Sequence, residues 1–194
     1  MQRIVPAVAL AAAVITAAAG CSSTSSADAS RHRPTHSPTV SPTTSPTHRP
    51  SGSCHASSLD PASTRPDPAC TPGALNPNVT QANIHQTVCV AGYTKTIRPP
   101  VAYTNALKRQ QIIEYGYANT SPSAYEEDHF IPLSLGGNPT DPHNLWPEPG
   151  NPNPKDQVEF KLYKALCAGQ VQLAPAQQAI AADWTTAVAK LGLK

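Results

Sequence analysis

Charge is what this sequence has least of. Only 13 % of its 194 residues are Asp, Glu, Lys or Arg, well below the quarter usual in globular chains. That scarcity excludes a highly charged disordered chain. Fourteen basic residues against twelve acidic ones leave a formal charge of +2. This argues against a protein that holds nucleic acid by bulk charge. Aromatics are few: two Trp, six Tyr and two Phe. No C-x-x-C pair occurs among the five cysteines, so the close-spaced ligands of a structural zinc site are missing. No G-x-S-x-G, P-loop or Rossmann fingerprint is present. Proline, by contrast, is abundant at 22 residues. Part of the chain is therefore neither packed helix nor central strand. The length allows one ordinary domain with tails.

The tails are legible at the N-terminus. Residues 1–20 place one cation, Arg3, before an apolar run of about sixteen residues, short for a membrane span and suited to a signal h-region. The run ends Ala18-Ala19-Gly20-Cys21. This resembles a bacterial lipobox, in which a lipid-modified Cys becomes the new N-terminus. The resemblance implies lipidation at Cys21 and anchoring to the outer face of the cytoplasmic membrane, the membrane being touched only through that lipid. Ordinary secretion is the alternative. Residues 21–53 are mostly Ser, Thr, Pro and His. Such a segment buries too little apolar surface to offset its ordering entropy and reads as a tether. His32, His36 and His48 in it have irregular spacing and no carboxylate or Cys cluster, so they read as spacer.

The folded part is expected over 54–194. It holds ten basic and eleven acidic residues, so the positive excess belongs to the leader and tether. Cys54, Cys70, Cys89 and Cys167 lie in it. An even number in an exported chain implies two disulfides. Three pairings satisfy four cysteines, and the sequence does not choose. The favoured one joins Cys70 to Cys89, a loop of about twenty residues worth about 3 kcal/mol, and leaves Cys54 with Cys167.

Residues 54–100 are rich in prolines and turns and predict a loop-rich, disulfide-held lobe. Residues 101–194 follow as a second region. Thr104 is placed to cap a helix ending near Gly116. Gly136-Gly137 permits a tight reversal between two short strands. Val158, Leu162, Ala165 and Leu166 mark one face of a helix that Gly169 ends. A second helix is predicted from Pro175, with Ala176, Ile180, Trp184 and Val188 four apart. Both stripes read as core.

Chemistry concentrates in YEEDHFIPLSLGGNPTDPHNLWPEPGNPNPKD, residues 125–156. Asp128-His129-x-x-Pro132, then Gly136-Gly137, then Asp141-x-x-Asn144-Leu145, then a helix, resembles the HNH or ββα-metal endonuclease motif. Asn144 follows His129 by fifteen residues, and Asn153 follows Asn144 by nine. The final His of the family pattern is absent, and Asn153 stands in for it, with Asn151 the alternative. The resemblance covers about thirty residues. The flanking pieces look like those of a bacterial exported HNH-like group. The implied fold is α+β: a small ββα-metal motif within a mainly helical, disulfide-stabilised domain.

The residue types suit phosphodiester hydrolysis. An imidazole with ordinary pKa near 6.5 takes a proton from water at neutral pH, which makes His129 the general base. One divalent ion, Mg²⁺ or Mn²⁺, neutralises the phosphate and the leaving oxygen. Asp128 and Asn153 supply oxygen ligands. By resemblance, Asn144 holds the loop bearing His129 through backbone hydrogen bonds. Lys155 is placed to contact a substrate phosphate. Glu126 and Glu127 read as solvated, His143 as exposed and incidental, and Glu148 equally as site or packing residue. Asp156 and Glu159 favour the start of a helix.

The function expected is a metal-dependent HNH endonuclease acting on DNA, or RNA, outside the cytoplasm without strong sequence preference. Its affinity depends on Arg98, Lys108, Arg109, Lys155, Lys161 and Lys164 forming one patch. Two other readings remain. One is a non-catalytic surface lipoprotein that uses a degenerate HNH scaffold for binding or support. The other is a secreted nuclease toxin.

Overall fold

The computed structural model describes residues 49–194. The signal segment, Cys21 and most of the tether lie outside them. Among the described residues, seven helices and strands follow in order: α1 (Tyr93–Ile97), α2 (Val101–Glu114), β1 (Tyr125–His129), β2 (Leu145–Pro149), α3 (Lys155–Cys167), α4 (Leu173–Asp183) and α5 (Ala187–Lys190). Short 3-10 turns connect several of them. The class is α+β, mainly helical, with one two-stranded antiparallel sheet.

The sheet is short because prolines bound and interrupt it. β1 pairs with β2 in the register Tyr125↔Pro149 to His129↔Leu145. Pro147 and Pro149 lack a ladder donor, which confines them to a sheet edge. β2 is nevertheless buried along its whole length. α2 covers the sheet and ties both strands. Gln111 Nε2 donates to Leu145 O at 2.7 Å. Lys108 Nζ donates to Tyr125 O at 3.0 Å. α2 starts at Val101, three residues before the expected cap, because Pro100 O already accepts from Tyr103 N and Thr104 N. It ends where expected, with Gly116 at φ +63°.

The link between the strands is no tight reversal. It spans fifteen residues, 130–144, and folds on itself. Gly136 ends a 3-10 turn at φ +76°. Gly137 serves a different purpose: a Cβ there would lie 1.8 Å from Ile131 O. The Gly pair thus permits close packing of the loop rather than a hairpin.

The two helical stripes meet the core as expected. Leu162, Ala165, Leu166, Ala176, Ile180 and Trp184 are buried, with Val158 and Val188 packed at the margin. α4 begins at Leu173, two residues before Pro175. The second stripe crosses a break, since α4 stops at Asp183 and α5 restarts at Ala187. Trp184 Nε1 donates to Thr64 O at 2.6 Å, fastening the C-terminal helices to the N-terminal loops. Residues 54–100 therefore form no lobe of their own. Cys54, Val79, Ile84 and Val88 share one core cluster with Ile112, Trp146 and Leu166.

The disulfide pairing is Cys54–Cys70 and Cys89–Cys167. This corrects the pairing favoured from loop length. Packing decides instead. Cys54 N donates to Glu114 O at the end of α2, which places Cys54 beside the loop carrying Cys70. Cys89 packs against the same core as α3, whose last residue is Cys167. On the chain-entropy model, sequence separations of 16 and 78 residues correspond to about 3 and about 4.5 kcal/mol.

Candidate functional site

The end of β1 and the start of α3 bring the predicted residues together. His129 closes β1 and is 5 % exposed. Its Nε2 lies 3.0 Å from Pro139 O. A carbonyl only accepts, so Nε2 carries the hydrogen and Nδ1 keeps the lone pair. Burial lowers the ring's pKa below the ordinary value of 6.5, with the Pro139 bond and Asp128 opposing it. The ring is therefore neutral, oriented, and basic at one defined nitrogen.

Asn144 is fully buried and spans the inter-strand loop. Its Oδ1 accepts from Ile131 N at 2.8 Å, and its Nδ2 donates to Ile131 O and Asn138 O, each at 3.0 Å. Phe130 N donates to Asn144 O at 2.8 Å. One side chain thus closes the loop that starts at His129 and passes Pro139. Gly137 makes this possible by its lack of a side chain, since its Cβ would also meet Asn144 Nδ2 at 2.6 Å.

Asp128 and Lys155 form a buried ion pair. Lys155 Nζ lies 2.6 Å from Asp128 Oδ2 and 3.3 Å from His129 O. It also pairs with Glu159 one turn along α3. Lys155 is 1 % exposed. Burial works against its charge, but Asp128 and then Glu159 outweigh that and keep it protonated. The expected contact of Lys155 with a substrate phosphate is therefore corrected: its ammonium faces inward and is already bonded. Arg98 is the exposed cation near the centre. It is close enough to bias the protonation of Glu126, His129 and Asp156. Lys108 Nζ is bonded to Tyr125 O of β1 and Lys155 Nζ to Asp128, so the ammonium groups of these two cations are engaged within the protein.

Asn153 is buried just ahead of α3. Its Nδ2 donates to Pro149 O at 3.1 Å, and its Oδ1 accepts from Lys155 N at 3.0 Å. It links the end of β2 to the first turn of α3. Asn151 is exposed. Asp128 and Asn153, so arranged, do not fit a shared divalent ion. The Asp128 oxygen facing the centre holds an ammonium, and both ends of the Asn153 amide hold backbone. Among the described residues, no three His, Cys, Asp or Glu side chains converge as a ready ligand set.

Glu127 is not solvated as the sequence suggests, and Glu148, readable equally as site or packing residue, is buried. Both Glu127 oxygens are sealed from solvent without a hydrogen-bond partner. Burial pushes its pKa up to about 9, against the nearby Lys108. Glu148 is 1 % exposed and equally unpartnered. Burial, reinforced by the Asp128 charge, pushes it up to about 10. The strand alternation of Tyr125-Glu126-Glu127-Asp128-His129 carried a signal, because five residues in a fully paired strand cannot all face water. His143 is exposed and held by Asp141, Nδ1 to Oδ1 at 2.9 Å.

The site lies in an α+β domain with an oriented imidazole beside a buried ion pair. Beyond that class, comparison with known proteins adds nothing: no family model, curated protein or solved structure matches the chain.

Proposed function

We propose that this chain is an HNH-type nuclease that hydrolyses phosphodiester bonds of DNA or RNA outside the cytoplasm. β1, β2 and α3 are read as its ββα unit. The observation that carries the reading is His129. Its ring ends a strand, is fixed through Nε2 on Pro139 O, and presents Nδ1 as its basic atom. Nδ1 takes a proton from water, the water oxygen attacks phosphorus, and the P–O3′ bond breaks with its electron pair on the 3′ oxygen, which takes a proton from solvent. Arg98 meets the phosphate charge in place of Lys155. Asn144 holds the loop whose Pro139 carbonyl orients the ring. Two disulfides fit an oxidising compartment, since such bonds persist outside the reducing cytoplasm. A lipid at Cys21 would hold the domain at the membrane surface.

The test is supercoiled plasmid and single-stranded RNA incubated with the full-length chain, with and without divalent ions. Wild type is expected to nick, and His129→Ala to lose about 100-fold or more. Equal rates for the two proteins on both substrates, in every metal condition and in chelator, would overturn the proposal. One observation favours the non-catalytic reading: the centre is almost closed, with His129 at 5 % and Lys155 at 1 % exposure. That reading predicts nucleic-acid binding that His129→Ala leaves unchanged, with no strand breaks.

A further inference from the structure

We propose that Lys155 is the resident cation of this centre and that Asp128 and Asn153 take no divalent metal ion. The proposal deepens the nuclease reading and rests on it only for naming the centre.

The argument is one of filled valences. A lysine ammonium has three N–H donors and no acceptor. Three oxygens surround Lys155 Nζ: Asp128 Oδ2 at 2.6 Å, His129 O at 3.3 Å, and Glu159 Oε1. None of its donors is left over. Mg²⁺ or Mn²⁺ would need about six oxygens in near-octahedral geometry. The inward Asp128 oxygen already serves the ammonium. The Asn153 amide serves Pro149 O and Lys155 N.

Lys155 is thus held at both ends, its backbone by Asn153 and its ammonium by Asp128. A single cation stands where the resemblance calls for an ion bound by those same two residues. The ammonium also grips the main-chain oxygen of His129, while Pro139 O grips the ring of the same residue. Lys155 is therefore a positioning residue for the base. It neutralises the carboxylates beside that base without an exchangeable ion.

The experiment titrates Mn²⁺ into chelator-treated full-length protein, with free Mn²⁺ read by electron paramagnetic resonance and nicking measured in parallel. Wild type is expected to bind no Mn²⁺ below about 1 mM. Lys155→Gln removes the charge and leaves Asp128 and Glu159 facing each other. It is expected to gain a Mn²⁺ site at least about tenfold tighter. Stoichiometric micromolar binding by wild type, lost in Asp128→Asn, overturns the proposal. That result decides the matter even if Lys155→Gln fails to fold. The nicking arm judges the other reading separately. Nicking only with Mn²⁺ bound overturns the resident-cation proposal and keeps the nuclease. No nicking and no Mn²⁺ binding removes the nuclease and keeps the resident cation. Nicking in chelator supports both.

Discussion

Buried in its protonated form, Glu127 should make stability fall with rising pH, and its replacement by Gln should remove its share of that fall. Glu127 sits mid-strand in β1 with both oxygens sealed and unpartnered. Burial raises its pKa to about 9, Asp128 adds to the rise, and Lys108 opposes it. In the unfolded chain a glutamate ionises near 4.3. The folded state therefore keeps a proton that the unfolded state gives up across the intervening window. A folded pKa above the unfolded one stabilises fully below about pH 4 and is lost progressively up to about pH 9. The loss runs at about 1.4 kcal/mol per pH unit, or about 4 kcal/mol from pH 5 to pH 8. Gln has the same shape and no proton to lose. Urea denaturation of wild type and Glu127→Gln at half-unit steps from pH 5 to pH 8 measures the term. The other raised carboxyls, Glu126, Glu148, Asp156 and Glu159, are common to both proteins and cancel in the difference. The variant should gain about 4 kcal/mol on wild type over the window. A difference that stays flat within about 0.5 kcal/mol means Glu127 is charged in the fold, and the burial argument is wrong.

Other sites give sharper failures. Asn144→Ala removes three side-chain hydrogen bonds at a fully buried position. It should cost about 3–5 kcal/mol in urea denaturation and abolish nicking. Gly137→Ala drives a methyl to 1.8 Å from Ile131 O, so soluble yield should collapse or stability fall by more than about 4 kcal/mol. Paired Cys→Ser replacement at Cys89 and Cys167 should cost more than at Cys54 and Cys70, about 4.5 against about 3 kcal/mol; the reverse order would show that native packing outweighs loop closure. Burial lowers the pKa of His129, so under the proposed mechanism the acid limb of the nicking-rate profile should lie below that of a free imidazole.

What the sequence disclosed and what it hid divide along a physical line. Helical stripes at Val158–Leu166 and Ala176–Trp184 were readable because burial repeats at the helix period. The order His129, Asn144, Asn153 was readable because the spacing of polar residues survives in one dimension. Partnership was not readable. Lys155 and Asp128 lie 27 residues apart in sequence, and nothing in one dimension shows that the ammonium turns inward. The cysteines failed for the same cause. Loop length ranks closures by entropy alone, while the packing of Cys89 against α3 is a tertiary fact. Glu127 was not readable because a charge in one dimension does not show which strand face has room for water.

α3 has its two ends tied by different chemistry. Lys155 and Glu159 close the centre at its start, and Cys167 is bonded to Cys89 at its finish. With its thiols reduced, the chain holds this helix by the Lys155–Asp128 pair at its start and by packing along its length. Oxidation therefore adds a covalent tie at the far end of the helix whose first residue is Lys155.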